Sequence, residues 1–271
     1  MSRKCSRLFG RSLQILCQPM SGSHSRNLPA FRLLSTTRKY LSNILNLSQS
    51  NESGNVNDRL QQQDPLDHQD YFQVRDLVSL ETMFESQCHY GHHQDCRNEY
   101  MTPYLFGTRC NIDIIDLEKT VPLFQDALNV LAHVVYRGGI VLFVSRQKMT
   151  MHRVEHMAKH VGEFAHCRQW NSGVFTNTEQ IVGFPTRLPD LCVFLHSQTS
   201  AVMPHPGLVD CAKLLIPTIG IVDSNCDPRL VSYPIPANDD SFLSIIYYLK
   251  VFENTVKLAK QKRQDDLLAE K

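Results

Sequence analysis

The stretch Gly138-Gly139-Ile140-Val141-Leu142-Phe143-Val144-Ser145-Arg146-Gln147-Lys148 decides the fold class of this 271-residue chain. Ile140 to Val144 is an unbroken, β-prone apolar run bounded by glycines on one side and polar residues on the other. A strand that is apolar on both faces suits the interior of a parallel sheet covered by helices above and below. Upstream, Leu128, Leu131, Ala132 and Val135 share one face of an expected helix that ends at Gly138-Gly139. Thr120 is expected to cap that helix, with Pro122 in its first turn, and the short apolar run Ile112 to Ile115 precedes it. Downstream, the pattern predicts a helix from about Lys148 to Val161 stopped by Gly162, and a short strand at Phe164–His166. It then predicts a strand at Leu191–His196, a helix near Leu208–Leu215 and a strand at Thr218–Asp223. A long helix from about Asp240, capped by Asn238 or Asp239, closes the series, with Leu243, Ile246, Leu249, Phe252 and Val256 inward. A first amphipathic helix from about Val74 is expected from the spacing of Leu77, Leu80, Phe84 and Cys88. Strands alternating with helices imply βαβ units, hence an α/β, doubly wound, mostly parallel sheet with helices on both faces.

Composition separates this body from what precedes it. The formal net charge is +1, with 42% hydrophobic and 20% charged residues, enough apolar material for a large core. No run of about 18 apolar residues argues for a membrane span. The near-neutrality is a cancellation. Residues 1–51 carry eight basic groups and no acid, residues 52–100 carry 3 basic and 10 acidic groups, and residues 101–271 carry 17 of each. The basic segment is rich in Ser and Arg, and it projects Phe9, Leu13, Leu16 and Met20 opposite Arg3, Arg7 and Arg11 on a helix. That is the form of a mitochondrial transit peptide. The expected organisation is a leader at 1–47, an acidic and polar linker at 48–73, the α/β domain at 74–260 and a charged tail at 261–271. The nine cysteines are odd in number and form no CxxC pair, as befits reduced thiols in a matrix protein.

A doubly wound sheet invites a nucleotide at its strand C-termini. The turn Ser145-Arg146-Gln147-Lys148 has no glycine to bring backbone against a pyrophosphate, and no GxGxxG or Walker-type loop occurs. His152-Arg153-Val154-Glu155-His156 matches the HxxEH pattern of inverted zinc proteases, but three fixed positions are a weak pattern in a chain with 12 histidines, and a polar helix face backed by Val154, Met157 and Val161 is expected instead. Cys88, His89, His92, His93 and Cys96 gather soft ligands without the spacing of a standard zinc finger, so zinc there stays open. Asp223-Ser224-Asn225-Cys226-Asp227 opens like a calcium loop, but Pro228 and Pro234 stand where glycine and glutamate are required, so a tight turn after a strand is expected. No catalytic residues, cofactor or metal ligands are assigned.

Several phrases, taken in order, fit one family. They are Gly91-His92, Tyr104-Leu105-Phe106-Gly107-Thr108-Arg109, Ile114 to Pro122, Ile140 to Val144, Trp170 with Thr176-Asn177, Leu188-Pro189-Asp190, Ile216-Pro217, Ile221 to Pro228 and Ile235-Pro236-Ala237-Asn238-Asp239-Asp240. From about Val74 to Lys260 the chain resembles ribosomal protein S2 of the small ribosomal subunit, in a mitochondrial form. The resemblance implies a flavodoxin-like sheet, no catalysis, and a place on the solvent side of the small subunit near the head–body junction. It also implies small-subunit rRNA, neighbouring ribosomal proteins and the OB-repeat protein that handles mRNA as partners, no membrane, and the mitochondrial matrix as location. Bacterial members insert a charged helical hairpin between the Thr-Asn and Leu-Pro-Asp motifs, where this chain has only the ten residues Thr178 to Arg187, so the hairpin is absent. Asp95 and Gln169 also replace usual basic residues, which reduces the expected rRNA surface.

The RNA-contact candidates are Arg146 and Lys148 at the strand-to-helix turn, and Arg109, Arg168 and Trp170 in irregular segments. The alternative for these side chains is Trp170 as core filler and arginines that are solvated or paired with acids such as Asp113. The competing function is a matrix α/β enzyme of nucleotide or metal type, and a third is a free adaptor of the same fold. The leader reading carries a direct test. N-terminal sequencing of the chain recovered from matrix ribosomes should begin beyond Leu34, and recovery of an intact Met1 would refute it.

Overall fold

A computed structural model describes residues 66, 68, 70–171, 173–179, 186–200 and 203–269. The leader at 1–47 and nearly all of the expected linker lie outside the described residues. From the N-terminal side the elements are α1 (Leu80–Glu85), β1 (Tyr90–His93), β2 (Leu105–Arg109), β3 (Ile112–Ile115), α2 (Leu117–Tyr136), β4 (Val141–Val144), α3 (Met151–Val161) and β5 (Phe164–His166). Then follow β6 (Leu191–Phe194), α4 (Pro206–Lys213), β7 (Thr218–Val222), β8 (Tyr233–Pro236) and α5 (Phe242–Ala269). Strands β4 to β8 form one sheet in the order β5-β4-β6-β7-β8, and every neighbouring pair is parallel. Numbered by appearance within that sheet, the order is 2-1-3-4-5, that of the flavodoxin-like doubly wound fold. No described helix is long and apolar enough to cross a membrane.

The unbroken apolar strands serve two cores at once. Along β6, Leu191, Val193 and Leu195 join the core beneath α2, α3 and α5, while Cys192 and Phe194 join the core beneath α4. Val141 and Phe143 of β4 face the first core, and Leu142 and Val144 face the second. Successive side chains alternate faces, so each face must be apolar when both are covered.

Several element boundaries differ from the sequence expectation for identifiable reasons. The helix after Ile115 begins at Leu117, capped by the Asp116 carboxylate, which accepts from the Glu118 amide at 3.1 Å. Thr120 is therefore inside the helix, where its hydroxyl donates to the Asp116 and Pro236 carbonyls, and Pro122 sits in the second turn. Helix α3 starts at Met151, not Lys148, after a turn in which Thr150 and Met151 donate to the Gln147 carbonyl. It does stop at Gly162, whose φ of +71° is a left-handed C-cap that a side chain would strain. The expected N-terminal amphipathic helix is only a short 3-10 turn plus α1, with Met83 buried and Leu80 and Phe84 exposed. The last helix buries Ile245, Tyr248, Leu249, Phe252, Val256 and Ala259, while Leu243 is exposed and Ile246 half-buried. Asn238 caps the turn before it, accepting from the Asp240 and Ser241 amides.

One feature the sequence pattern did not reveal is a second, antiparallel sheet of order β1-β3-β2. Its strands are short and irregular, and β3 carries a buried charge, Asp113, so no alternation betrays it. The Arg97 guanidinium donates to both Asp113 oxygens and holds that carboxyl below its usual range. Within the stretch expected as linker, Phe72 is buried against His133 and Tyr136. Tyr71 and Tyr136 both donate to Asp266 near the end of α5, so the helix continues into the expected charged tail as packed structure.

His205 caps α4 with its imidazole, Nδ1 accepting from the Gly207 amide at 3.1 Å. Burial, helped by nearby His166, Arg146 and His196, pushes it down to about 4. An unfolded histidine titrates near 6.5, so this contribution is fully present above that pH and is lost as pH falls towards 4. The single tryptophan, Trp170, lies with its ring 5.5 Å from His205, centre to centre, and reports on this site. Acid unfolding followed by Trp170 emission should take up about one proton fewer in His205→Asn, which keeps a capping acceptor but does not titrate in this range. An unchanged pH slope in that variant would exclude the role given to His205.

Candidate functional site

In a doubly wound sheet the natural ligand crevice lies beyond the C-terminal ends of the strands where the winding reverses, here between β4 and β6. That crevice is occupied by the chain itself. Ser145 Oγ sits 3.5 Å from both Thr150 Oγ1 and His196 Nδ1, and the Arg146 guanidinium donates to the Thr199 carbonyl across the gap. The turn out of β4 offers no glycine to bring backbone against a nucleotide phosphate.

Further along the same edge, β1 of the antiparallel sheet meets the ends of β7 and β8. Gly91 is required by the close approach, because a Cβ there would lie 2.9 Å from Ser224 Oγ. The His92 amide donates to that Ser224 hydroxyl at 2.8 Å, and the Asn98 amide donates to the Ser224 carbonyl. The His92 ring then reaches between carboxylates, with Nδ1 3.0 Å from Asp223 Oδ2 and Nε2 3.3 Å from Asp240 Oδ2. Asp223 and Asp239 are only 1% and 6% exposed. The Asp223 hydrogen bond, reinforced by the charges of Asp223, Asp239 and Asp240, outweighs burial and raises the imidazole to about 9. Burial, together with the charges of Asp223 and Asp240, pushes the Asp239 carboxyl well above its usual range. Donor atoms of His92, Asp223 and Asp239 lie within 4.8 Å of one another, the one grouping among the described residues with the geometry to hold a metal ion. Sequence reading took Asp223 for a turn and Asp239 for a helix cap. The only signal that could have joined them is their common place just past a strand end.

The metal-like patterns singled out in the sequence do not assemble. Cys88 is buried, its thiol pushed up to about 11 by burial, whereas Cys96 is exposed. His89 stacks on Phe84 with ring centres 4.4 Å apart, and His93 pairs with Asp95. His152 and His156 are exposed on α3, opposite buried Val154, Met157 and Val161.

Of the RNA candidates, Arg109, Lys148 and Arg168 are exposed, and Arg146 is exposed but spends a donor on Thr199. Lys148 lies three residues ahead of α3, so neither cation stands in its first turn. Trp170 is withdrawn from any such role, being 8% exposed with its indole N–H donated to Asp210 Oδ2 at 3.1 Å. Asp113 pairs with Arg97 and not with a candidate arginine. Arg109 lines an apolar groove of about 800 Å³ with Leu80, Phe84, Tyr90, Phe106 and Ile112. Phe106 there is 80% exposed. An apolar, aromatic surface of this kind marks protein contact more than nucleic-acid contact.

The family model described as "Ribosomal protein S2" matches residues 83–191 and 184–259. The chain is 45% identical over 201 residues to the "Small ribosomal subunit protein uS2m" of Bos taurus, covering 74% of this chain and 69% of the relative. It is 31% identical to the uS2 protein of Gluconobacter oxydans over 216 residues, covering 66% of this chain and 82% of the relative. It is 32% identical to that of Rhizobium leguminosarum bv. trifolii over 211 residues, covering 64% and 83%. The bacterial alignments span more positions than the share of this chain they draw on, whereas the bovine alignment does not. The family match falls into two stretches that overlap at 184–191, beside the ten residues Thr178 to Arg187. With the fold, the closed crevice and the ordered motifs all in agreement, this chain is a member of the ribosomal protein S2 family.

Proposed function

We propose that the chain is a structural constituent of the mitochondrial small ribosomal subunit in the matrix, supporting translation through contacts with rRNA and with other small-subunit proteins. The observation that carries this reading is the similarity to the bovine mitochondrial protein over three quarters of the chain, in the same short form. The enzyme alternative weighed from sequence has no support, since the switch-point crevice is filled by Ser145, Thr150, Arg146 and His196.

Within that role, protein contacts carry much of the attachment and phosphate contacts are few. The balanced charge of residues 101–271 provides no overall field for a polyanion, so RNA is held by local cations. Arg109, Lys148 and Arg168 are the side chains free to serve, with Arg146 secondary. The groove around Phe106 suits a neighbouring protein, and the OB-repeat protein that handles mRNA near the head–body junction is our choice of occupant. In this reading the chain has a leader at 1–47 that is removed on import and an S2-like domain at 74–260, on which Phe72 and the end of α5 pack.

After a high-salt wash, the chain in a sucrose gradient of mitochondrial lysate should co-migrate with the small subunit. Sedimentation at the top of the gradient would refute the assignment. For the RNA contacts, binding of the purified chain to small-subunit rRNA should weaken steeply with salt. Lys148→Ala with Arg168→Ala should lower the slope of log K against log salt by about two. An unchanged slope would assign both side chains to solvent or to protein.

A further inference from the structure

We propose that the solvent face of α3 docks on the phosphate backbone of structured RNA, an inference that rests on the ribosomal role proposed for the chain. The helix turns His152, Arg153, His156, Lys159 and His160 outward, all of them exposed, and buries Val154, Met157, Ala158 and Val161 in the core beneath it. At about 100° per residue these outward positions fill an arc of about 120°. No acid lies within the arc, and Glu155 stands half-buried at its flank. The HxxEH pattern is thus one part of a basic and imidazole face that runs on to Lys159 and His160.

The acids beside this face are already engaged. Glu253 of α5 accepts from Lys257 at 2.7 Å and pairs with His160 Nδ1 at 2.7 Å, and Glu163 pairs with Lys260. Among the described residues, no carboxylate lies within ion-pair distance of Arg153 or Lys159, so both charges are open to a partner. From His152 to His160 the row is about 12 Å long, enough to meet several backbone charges of a nucleic-acid helix. Guanidinium, ammonium and imidazole groups all donate N–H to phosphate oxygens, and such contacts position a protein without reading bases. Other anionic surfaces fit less well. The apolar side of α3 is packed into the core, so the helix cannot lie in a lipid interface as an amphipathic anchor does. No apolar side chain is exposed between Met151 and Val161, whereas a protein interface is built around an apolar or aromatic centre. Lys148 and Arg168 are single cations, and α3 adds a continuous row to them.

The first measurement is binding of the purified full chain to mitochondrial small-subunit rRNA across a salt series. Arg153→Ala with Lys159→Ala should lower the slope of log K against log salt by about two, and Arg153→Lys with Lys159→Arg should keep it. Arg75→Ala with Arg137→Ala removes the same charge from exposed residues outside α3 and should leave the slope unchanged. The second measurement uses isolated mitochondrial small subunits. There Lys159 should resist an acetylating reagent that modifies it in the free chain, and ultraviolet cross-linking should leave a nucleotide on a peptide from His152–His160. Absence of the chain from the subunits would refute the ribosomal role and not this face, which the salt series then decides. An unchanged slope for the alanine pair, an equal fall in the Arg75 and Arg137 control, or a reactive Lys159 in the subunit would overturn the proposal. So would a protected Lys159 without a nucleotide adduct, which gives the face to a neighbouring protein.

Discussion

Five parallel strands without a polar face must be covered on both sides, and most of this molecule follows from that constraint. Leu191, Val193 and Leu195 point one way from β6 while Cys192 and Phe194 point the other, each withdrawn from water. Full burial of side chains of this size stabilises by about 1.5–3 kcal/mol each, so neither face can be left open. Helices α2, α3 and α5 cover the first face. Among the described residues, the second is covered by the short helix α4, assisted by Trp170, Phe175, Met101 and Val231. The thinner cover explains why Trp170, the only tryptophan, is spent on packing and on a hydrogen bond to Asp210 instead of on RNA.

The antiparallel sheet is held to the parallel one by a different kind of contact. At Gly91 the backbone approaches the Ser224 side chain so closely that no Cβ fits between them, and polar groups lie buried beside that contact. Asp223, Asp239 and His92 are drawn together there, at the strand ends where other doubly wound proteins place ligands. The crevice at the reversal point itself is closed by Arg146 and His196, so the same architecture that serves enzymes elsewhere is here a scaffold. Its outward features are the aromatic groove around Phe106 and scattered free cations, both suited to assembly into a larger particle.

Much of the parallel sheet was legible in sequence because its rules are local. Apolar runs without alternation, glycine at a helix end and helical spacing in Leu128 to Val135 each declare an element within ten residues. Boundaries slipped where two signals competed, as at Asp116 and Thr120, either of which can cap a helix. The phase of α5 slipped because its sequence is apolar on more than one side. Leu243 and Ile246 read as inward as plausibly as Ile245 and Tyr248, and the choice was made by α2 through Phe124, which meets Tyr248 and Phe252 edge-on. The antiparallel sheet escaped because a buried Asp113, satisfied by Arg97 16 positions away, interrupts the pattern that would mark β3.

Taken alone, the sequence determined the winding of the domain, the basic character of its first 51 residues and its family, because these rest on short-range periodicity, composition and ordered motifs. Tertiary structure decided which polar residues are available and for what. Whether Trp170 is surface or core, whether Arg146 is free or bonded, and whether His92 stands beside one carboxylate or three depends on groups up to about 150 positions apart. Burial and pairing are properties of the folded neighbourhood, and no local pattern encodes a neighbour that only the closed sheet supplies.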